Sequence, residues 1–145
     1  MRPQDQTFDR NTNAMQKVGA VIIHDRKIMV VRKKNEEQLE CIMPGGRMEL
    51  GESQLECLTR ELAEELNVRL LREEYIGTYK DIAVFEGVPL VIHAYLAIIE
   101  GDPMPANEIK EFLWIDSAFE QDGIRVGSIM ARKVIPEMKR RDIID

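Results

Sequence analysis

The stretch that decides the fold covers residues 46–68 and reads GRMELGESQLECLTRELAEELNV. Its leucines recur at steps of three and four residues, which predicts a helix with one apolar stripe. The stripe consists of Leu55, Leu58, Leu62 and Leu66. Ser53 is a typical N-cap residue, and Glu56 three positions later completes a capping box. The sequence therefore predicts a helix over residues 53–66 that packs its leucine face against the core.

A second feature of this helix is its group of acidic side chains. At about 100° per residue, Glu61, Glu64 and Glu65 fall within one arc of about 100° beside the leucines. Acidic helix faces are commonly just solvated. Here, however, two of the three lie in the last turn, where the helix dipole disfavours negative charge. A divalent cation with oxygen ligands, Mg²⁺ or Mn²⁺, would make the cluster tolerable. Gly45 and Gly46 would let backbone approach a ligand closely, and a cation beside such a loop indicates phosphate chemistry.

Size and composition exclude several classes of function. The chain has 145 residues, which predicts a single domain. Its formal net charge of −6 argues against general nucleic-acid binding. No apolar run has the length of a membrane span, and the first residues lack the apolar segment of a secretory signal. Cys41 and Cys57 are too few for a disulfide framework, so we expect reduced thiols in a cytoplasmic protein.

The remaining segments predict a mixed α/β fold. Hydrophobic patterning suggests a β-hairpin, two longer strands, a short strand and a C-terminal helix interrupted by Pro136. In that order, these segments are residues 17–24 with 27–32, residues 75–85, residues 88–99, residues 111–115, and residues 125–140. The strand at 88–99 is nearly all apolar and is expected to be central and covered on both faces. We place a polar, flexible tail at residues 1–15 and one domain at residues 16–145, with a mixed sheet packed between helices.

The stretch at residues 46–68 resembles the signature of the Nudix (MutT-like) hydrolases. That signature is G, five residues, E, seven residues, then R-E-aliphatic-x-E-E-x-G-aliphatic. Gly46, Glu52 and the run over residues 60–68 match it except at Asn67, where the family has glycine. Asparagine is the next-best residue for the left-handed conformation that ends a helix, so this departure leaves the metal site untouched. The resemblance implies a Nudix-type α/β/α sandwich with a mixed sheet between helices.

The resemblance also implies roles for individual residues. Metal ligands would be the carboxylates of Glu61, Glu64 and Glu65 and the carbonyl of Gly45. Arg60 and Glu52 would hold the glutamates in place through hydrogen bonds. Substrate contacts are expected at Gly45, Gly46 and Arg47. A further catalytic carboxylate is expected from Glu108 or Glu111, of which we favour Glu108, although both are equally well explained as surface glutamates.

The implied reaction is hydrolysis of a nucleoside diphosphate linked to a group X, in which water attacks a phosphorus in line. Glu61 is the first choice as general base, and Glu108 is the alternate. The small size favours a nucleoside triphosphate, which would give NMP and pyrophosphate. Alternatives are ADP-ribose, a nucleotide sugar or a dinucleoside polyphosphate as substrate, or a non-catalytic nucleotide sensor. The sensor is disfavoured because all four signature glutamates are present. The family often dimerises, which allows a homodimer, but no interface is evident.

Overall fold

The computed structural model describes residues 8–9, 14–35, 39–82 and 87–145. In chain order, the strands are β1 (Phe8–Asp9), β2 (Ala14–Val21), β3 (Ile23–His24), β4 (Lys27–Lys33), β5 (Gly45–Arg47), β6 (Arg69–Ile82), β7 (Pro89–Glu100) and β8 (Ile109–Ile115). Helix α1 (Gln54–Leu66) lies between β5 and β6, and helix α2 (Ile135–Arg140) follows β8. No helix in these ranges is long and apolar enough to cross a membrane.

The strands form two sheets. The larger sheet has the order β1-β2-β7-β6, with β5 also paired to β2, and it is mixed because β2 and β7 are parallel while the other pairs are antiparallel. The smaller sheet has the order β3-β4-β8. The core consists of two apolar clusters, each packed against a different helix. One contains Leu58, Leu62 and Leu66 of α1, and the other contains Ile135 and Met138 of α2. This arrangement confirms the predicted α/β/α sandwich with a mixed sheet.

The predicted hairpin is only partly correct. Asp25 and Arg26 do form a tight turn with positive φ angles of 50° and 61°. Only Ile23–His24 pair with β4 across that turn, however, because the chain leaves the larger sheet at Ile22. The preceding β2 strand pairs with β5 and β7 instead, so the predicted first strand is divided between two sheets.

The N-terminal boundary also differs from the sequence prediction. Ala14 and Met15, which were assigned to the tail, are buried residues of β2, and β1 pairs with them in an antiparallel ladder. Their side chains are part of the buried core, so these two residues are not a flexible tail. Residues 1–7 and 10–13 of the predicted tail, and residues 83–85 of the predicted strand over 75–85, lie outside the described residues.

Strand β7 is central, as predicted, since it lies between β2 and β6. Its coverage is less complete than its composition indicates, because only Ala94 and Ala97 are buried and most neighbours along the strand are half-buried. The C-terminal helix is interrupted as predicted. A π-helical turn (Met130–Val134) precedes α2, and Pro136, which has no N–H to donate, lies directly after the change.

Helix α1 begins and ends as its sequence indicates, but its buried face is wider than the predicted leucine face. The Ser53 hydroxyl accepts a hydrogen bond from the Glu56 N–H, and the Ser53 N–H donates the reciprocal bond to the Glu56 carboxylate, which confirms the capping box. Leu58, Leu62 and Leu66 are buried, whereas Leu55, in the first turn, is 39% exposed. The buried arc extends instead toward Cys57, Glu61 and Glu65. The helix therefore directs carboxylates inward, not sideways.

Candidate active site

The predicted glycine loop, which contains Gly45 and Gly46, forms the short strand β5 and contacts the last turn of α1 at Glu65. This side chain is only 5% exposed, and its Oε1 accepts a 2.9 Å hydrogen bond from the backbone N–H of Gly45. Gly45 has a φ of 135°, and an added Cβ would lie 2.1 Å from the carbonyl oxygen of Val18 on β2. Glycine is therefore required here by both conformation and space. The contact fixes the glycine loop against the acidic end of the helix.

The next glycine of the loop makes room for a second carboxylate. The Glu61 side chain is 13% exposed and lies against Gly46, where an added Cβ would be 2.5 Å from the carboxyl carbon. Gly45 thus donates a hydrogen bond to Glu65, and Gly46 leaves space for Glu61. The sequence alone did not assign these roles to the glycines. Glu64 differs from these two residues because its side chain is 53% exposed.

Arg60 organises the acidic residues around the loop. Its guanidinium binds Glu52 in a bidentate manner, with Nε–Oε2 and Nη2–Oε1 distances of 2.6 and 2.9 Å. Nη1 donates to Glu61 Oε1 at 2.8 Å and to Glu64 Oε2 at 3.3 Å, and Nη2 donates to the carbonyl of Arg47 at 3.1 Å. The hydrogen bonds from Arg60 lower the pKa of Glu52, so that carboxylate stays ionised. Arg60 and Glu52 therefore form an ion pair that connects the helix with the loop.

Glu61 and Glu65, the two buried glutamates of the site, lie where a negative charge is unfavourable. Burial, with smaller contributions from the charges of Glu61 and Glu108, raises the pKa of Glu65 to about 7, although the Gly45 hydrogen bond opposes this shift. Burial likewise raises the pKa of Glu61, with a smaller contribution from Glu64. Desolvation and like charges disfavour the ionised forms. A positive charge placed between these carboxylates would restore their ionisation at neutral pH.

The loop forms one wall of a cleft of about 440 Å³. Gly45 and Gly46 line it, together with the cationic side chains of Lys17 and Lys33. Its floor is apolar, and the floor residues include Ile42, Met43, Leu90 and Ile92. Sequence reasoning missed both lysines, since neither lies near the signature in the chain and the strand pairing that places them is tertiary. The arrangement resembles a ligand site, with a charged end and an apolar body.

The family of the chain follows from its similarity to known proteins. The sequence model of the NUDIX domain matches residues 14–120, which is most of the chain. The chain belongs to the Nudix family. It is accordingly a Nudix pyrophosphohydrolase, and hydrolases of this family cleave pyrophosphate bonds in small nucleotide substrates. A comparison with curated proteins found no match.

Solved structures share the Nudix fold with this chain. A MutT NUDIX hydrolase from Burkholderia pseudomallei is 26% identical with a TM-score of 0.63, and the match covers 69% of this chain and 81% of that one. The ORF135 protein of E. coli is also 26% identical, with a TM-score of 0.70 and coverage of 87% and 89%. A bifunctional NMN adenylyltransferase/ADP ribose pyrophosphatase from Francisella tularensis is 22% identical with a TM-score of 0.67, and the match covers 89% of this chain and 41% of that one.

The one departure from the Nudix signature is accommodated at the helix end. Asn67 adopts the left-handed conformation with φ 55° and ψ 41°, and its N–H donates to the carbonyls of Ala63 and Leu62. This is the cap that the family's glycine would form. The Asn67 backbone therefore confirms the prediction that asparagine can end this helix in the left-handed conformation.

The two candidates for an additional carboxylate in the Nudix site are placed differently. Glu111 Oε2 pairs with Arg32 Nη1 at 2.9 Å across the β4–β8 ladder, which is a structural contact. Glu108 is 79% exposed, lies 3.8 Å from the Nζ of Lys33, and acts electrostatically on Glu65. The structure thus brings Glu108, but not Glu111, toward the acidic end of α1.

The donor set of the Nudix helix fits a hard divalent cation by its chemistry. Glu61, Glu64 and Glu65 offer carboxylate oxygens, which Mg²⁺ and Mn²⁺ prefer. Over residues 14–35, 39–82 and 87–145, however, no three His, Cys, Asp or Glu side chains are gathered closely enough to hold an ion. Arg60 instead pairs with two of the glutamates. A cation would have to compete with Arg60 for these oxygens.

Proposed function

We propose that this Nudix protein hydrolyses nucleoside triphosphates to NMP and pyrophosphate in a reaction that depends on Mg²⁺ or Mn²⁺. The observation that carries the proposal is the buried Glu65 carboxylate hydrogen-bonded to Gly45, which lines a cleft large enough for a nucleotide. A buried acid with a raised pKa and acidic neighbours is typical of a site that acquires a positive charge. Polyphosphate chemistry requires that charge at the same place.

Four groups would hold the ion, namely the carboxylates of Glu61, Glu64 and Glu65 and the carbonyl of Gly45. When bound, it would neutralise phosphoryl oxygens and lower the pKa of a water molecule. Arg60 and Glu52 would keep the carboxylates in position, since their bidentate ion pair connects the helix with the loop. These two residues are positioning residues, and we expect their loss to weaken the acidic site without removing a ligand.

The proton of the attacking water would pass to a carboxylate. Glu61 suits this role because burial raises its pKa, which makes it a better base than an ordinary glutamate. Glu108 is the alternate, since it is exposed and close to Lys33. Glu111 is less suited because Arg32 holds it.

Substrate phosphates would lie along the glycine loop. Gly45 and Gly46 line the cleft, and Lys17 and Lys33 supply positive charge there. Arg47 directly follows on β5, and its carbonyl accepts a hydrogen bond from Arg60. We assign these loop residues to binding the polyphosphate, because an anion in a protein of net charge −6 needs local cations.

The test is a panel of Mg²⁺-supplemented assays with nucleoside triphosphates, ADP-ribose, a nucleotide sugar and a dinucleoside polyphosphate, each analysed for NMP release. We expect triphosphates to be cleaved with the highest kcat/KM. Higher kcat/KM for ADP-ribose or another diphosphate-linked substrate would overturn the assignment to triphosphates. Release of no NMP from any of them would overturn the proposed reaction.

Glu64→Gln is the sharpest variant for this site. Its side chain is exposed and lies off the leucine face, so the fold should remain intact while turnover falls by orders of magnitude. Glu56→Gln is the matched control, because it makes the same charge change on the same helix and glutamine preserves a capping box. Full turnover in Glu64→Gln with normal circular dichroism would refute the metal-binding role.

A further inference from the structure

The end of the cleft opposite to the glycine loop carries a different chemistry. Asp81, at the C-terminal end of β6, lines the same cleft as Gly45 and Gly46. The Ser128 hydroxyl donates a hydrogen bond to Asp81 Oδ2, and the Ile82 N–H donates to Oδ1 at 2.8 Å. These two donors fix the carboxylate in one orientation, since each oxygen has one defined partner. Each oxygen retains a lone pair that can accept from a ligand.

The two ends are separated by the width of the larger sheet. Strand β5 pairs with β2, β2 with β7, and β7 with β6, so three strand spacings of about 4.8 Å put roughly 14 Å between the loop and Asp81. The register adds an offset along the strands, because Asp81 faces Leu90 whereas Gly45 faces Gly19. Inorganic phosphate cannot reach both ends. A nucleotide with its phosphates at the loop would bring its base to Asp81 if it lay along the cleft that both ends line.

The side chains around Asp81 suit a flat base. Leu39 and Ile82 are exposed large apolar residues, and both line the cleft. Exposed apolar side chains beside a cleft are typical of a ligand-contact surface. The Glu40 carboxylate also lies at this end, near Gly127, so a second acceptor accompanies Asp81. Arg125 also lines the cleft, and the positive charge of Arg132 acts on Asp81.

We propose that Asp81 is a specificity-determining residue that accepts a hydrogen bond from the exocyclic amino group of the substrate base. The inference rests on the proposed function, because it assumes that the phosphates occupy the glycine loop. An ionised carboxylate accepts hydrogen bonds and donates none. It therefore favours cytosine or adenine, which present an amino group, over uracil or hypoxanthine, which present a carbonyl oxygen at the corresponding position. The hydrogen bond from Ser128 holds the pKa of Asp81 below its ordinary value, so the carboxylate is ionised at neutral pH.

The experiment compares kcat/KM for two matched substrate pairs, CTP with UTP and ATP with ITP. In the pair that the enzyme cleaves faster, we expect the amino-bearing member to be preferred by at least roughly tenfold, the value of one charge-assisted hydrogen bond. Asp81→Asn should reduce that preference at least several-fold, because an amide can donate as well as accept. Asp25→Asn is the matched control, since this exposed turn residue with φ 50° tolerates asparagine and does not line the cleft.

Two outcomes would overturn the assignment. One is equal kcat/KM within both pairs for the unchanged protein. The other is an equal loss for both members of the preferred pair in Asp81→Asn, which would make the Asp81–Ser128 bond merely structural. A separate readout is calorimetric binding of CMP and UMP, and of AMP and IMP, to the metal-free protein. If no triphosphate is hydrolysed, the proposed function fails, yet preferential binding of CMP or AMP would still support Asp81, and equal binding would still overturn it.

Discussion

Replacing Glu65 with glutamine should stabilise the protein at alkaline pH while it destroys activity. The pKa of the buried Glu65 is about 7, compared with an ordinary value of 4.5. Ionisation of Glu65 is less favourable in the folded state than in the unfolded state. The free energy of unfolding therefore decreases as the pH rises from about 4.5 to 7, and it stays lower above that range. The difference between the two pKa values corresponds to roughly 3 kcal/mol. Glutamine carries no charge, and its carbonyl can still accept the bond from the Gly45 N–H.

The assay is urea unfolding of the unchanged protein and Glu65→Gln in EDTA, followed by circular dichroism at pH 4.5 and pH 8.5. At pH 4.5 the two proteins should differ little in free energy of unfolding from this cause. At pH 8.5 the variant should be more stable by up to about 3 kcal/mol. Its Mg²⁺-dependent turnover should be at least 100-fold lower. The reasoning is refuted if the difference in stability is the same at both pH values, or if the variant is less stable at pH 8.5.

Three further substitutions test the support around the acidic site. Gly46→Ala should lower turnover at least tenfold, because the added Cβ would lie 2.5 Å from the Glu61 carboxyl carbon; unchanged kcat would contradict this contact. Arg60→Lys should lower the free energy of unfolding by about 1–3 kcal/mol and also reduce kcat, since lysine cannot bind Glu52 in a bidentate manner. Urea unfolding measures the first effect and steady-state kinetics the second, and wild-type values in both would argue against the role of Arg60. Asn67→Gly should change stability by less than about 1 kcal/mol and leave kcat/KM within twofold, because only a helix cap is altered; a large loss of activity would show that Asn67 has another role.

The first and last residues of helix α1 could be predicted from the sequence, because neighbouring residues determine where it begins and ends. The Ser53 capping box and the left-handed Asn67 depend on neighbouring residues, and both are present as expected. The burial of Glu61 and Glu65 was not predictable in this way. The pairing of β5 with β2 places Gly45 and Gly46 over the last turns of the helix, so Glu61 and Glu65 face inward although their residue type favours solvent.

Residues distant in the chain account for the rest of what the sequence left open. Lys33 comes from β4 in the smaller sheet, and Lys17 comes from β2 in the larger one, yet both line the cleft. No local pattern distinguishes them from other surface lysines. Glu108 and Glu111 could not be separated by sequence either, and it is the register of β8 on β4 that pairs Glu111 with Arg32.

The most direct test of the central claim is calorimetric titration of Mn²⁺ and Mg²⁺ into the protein at pH 7.5. We expect a saturable signal for the unchanged protein and for the Glu56→Gln control, and affinity at least tenfold weaker for Glu64→Gln. Uptake should be stronger at pH 8.5 than at pH 6, because Glu65 must lose its proton to bind the ion and its pKa is about 7. No uptake of either ion by the unchanged protein, with or without a nucleotide, would contradict the account.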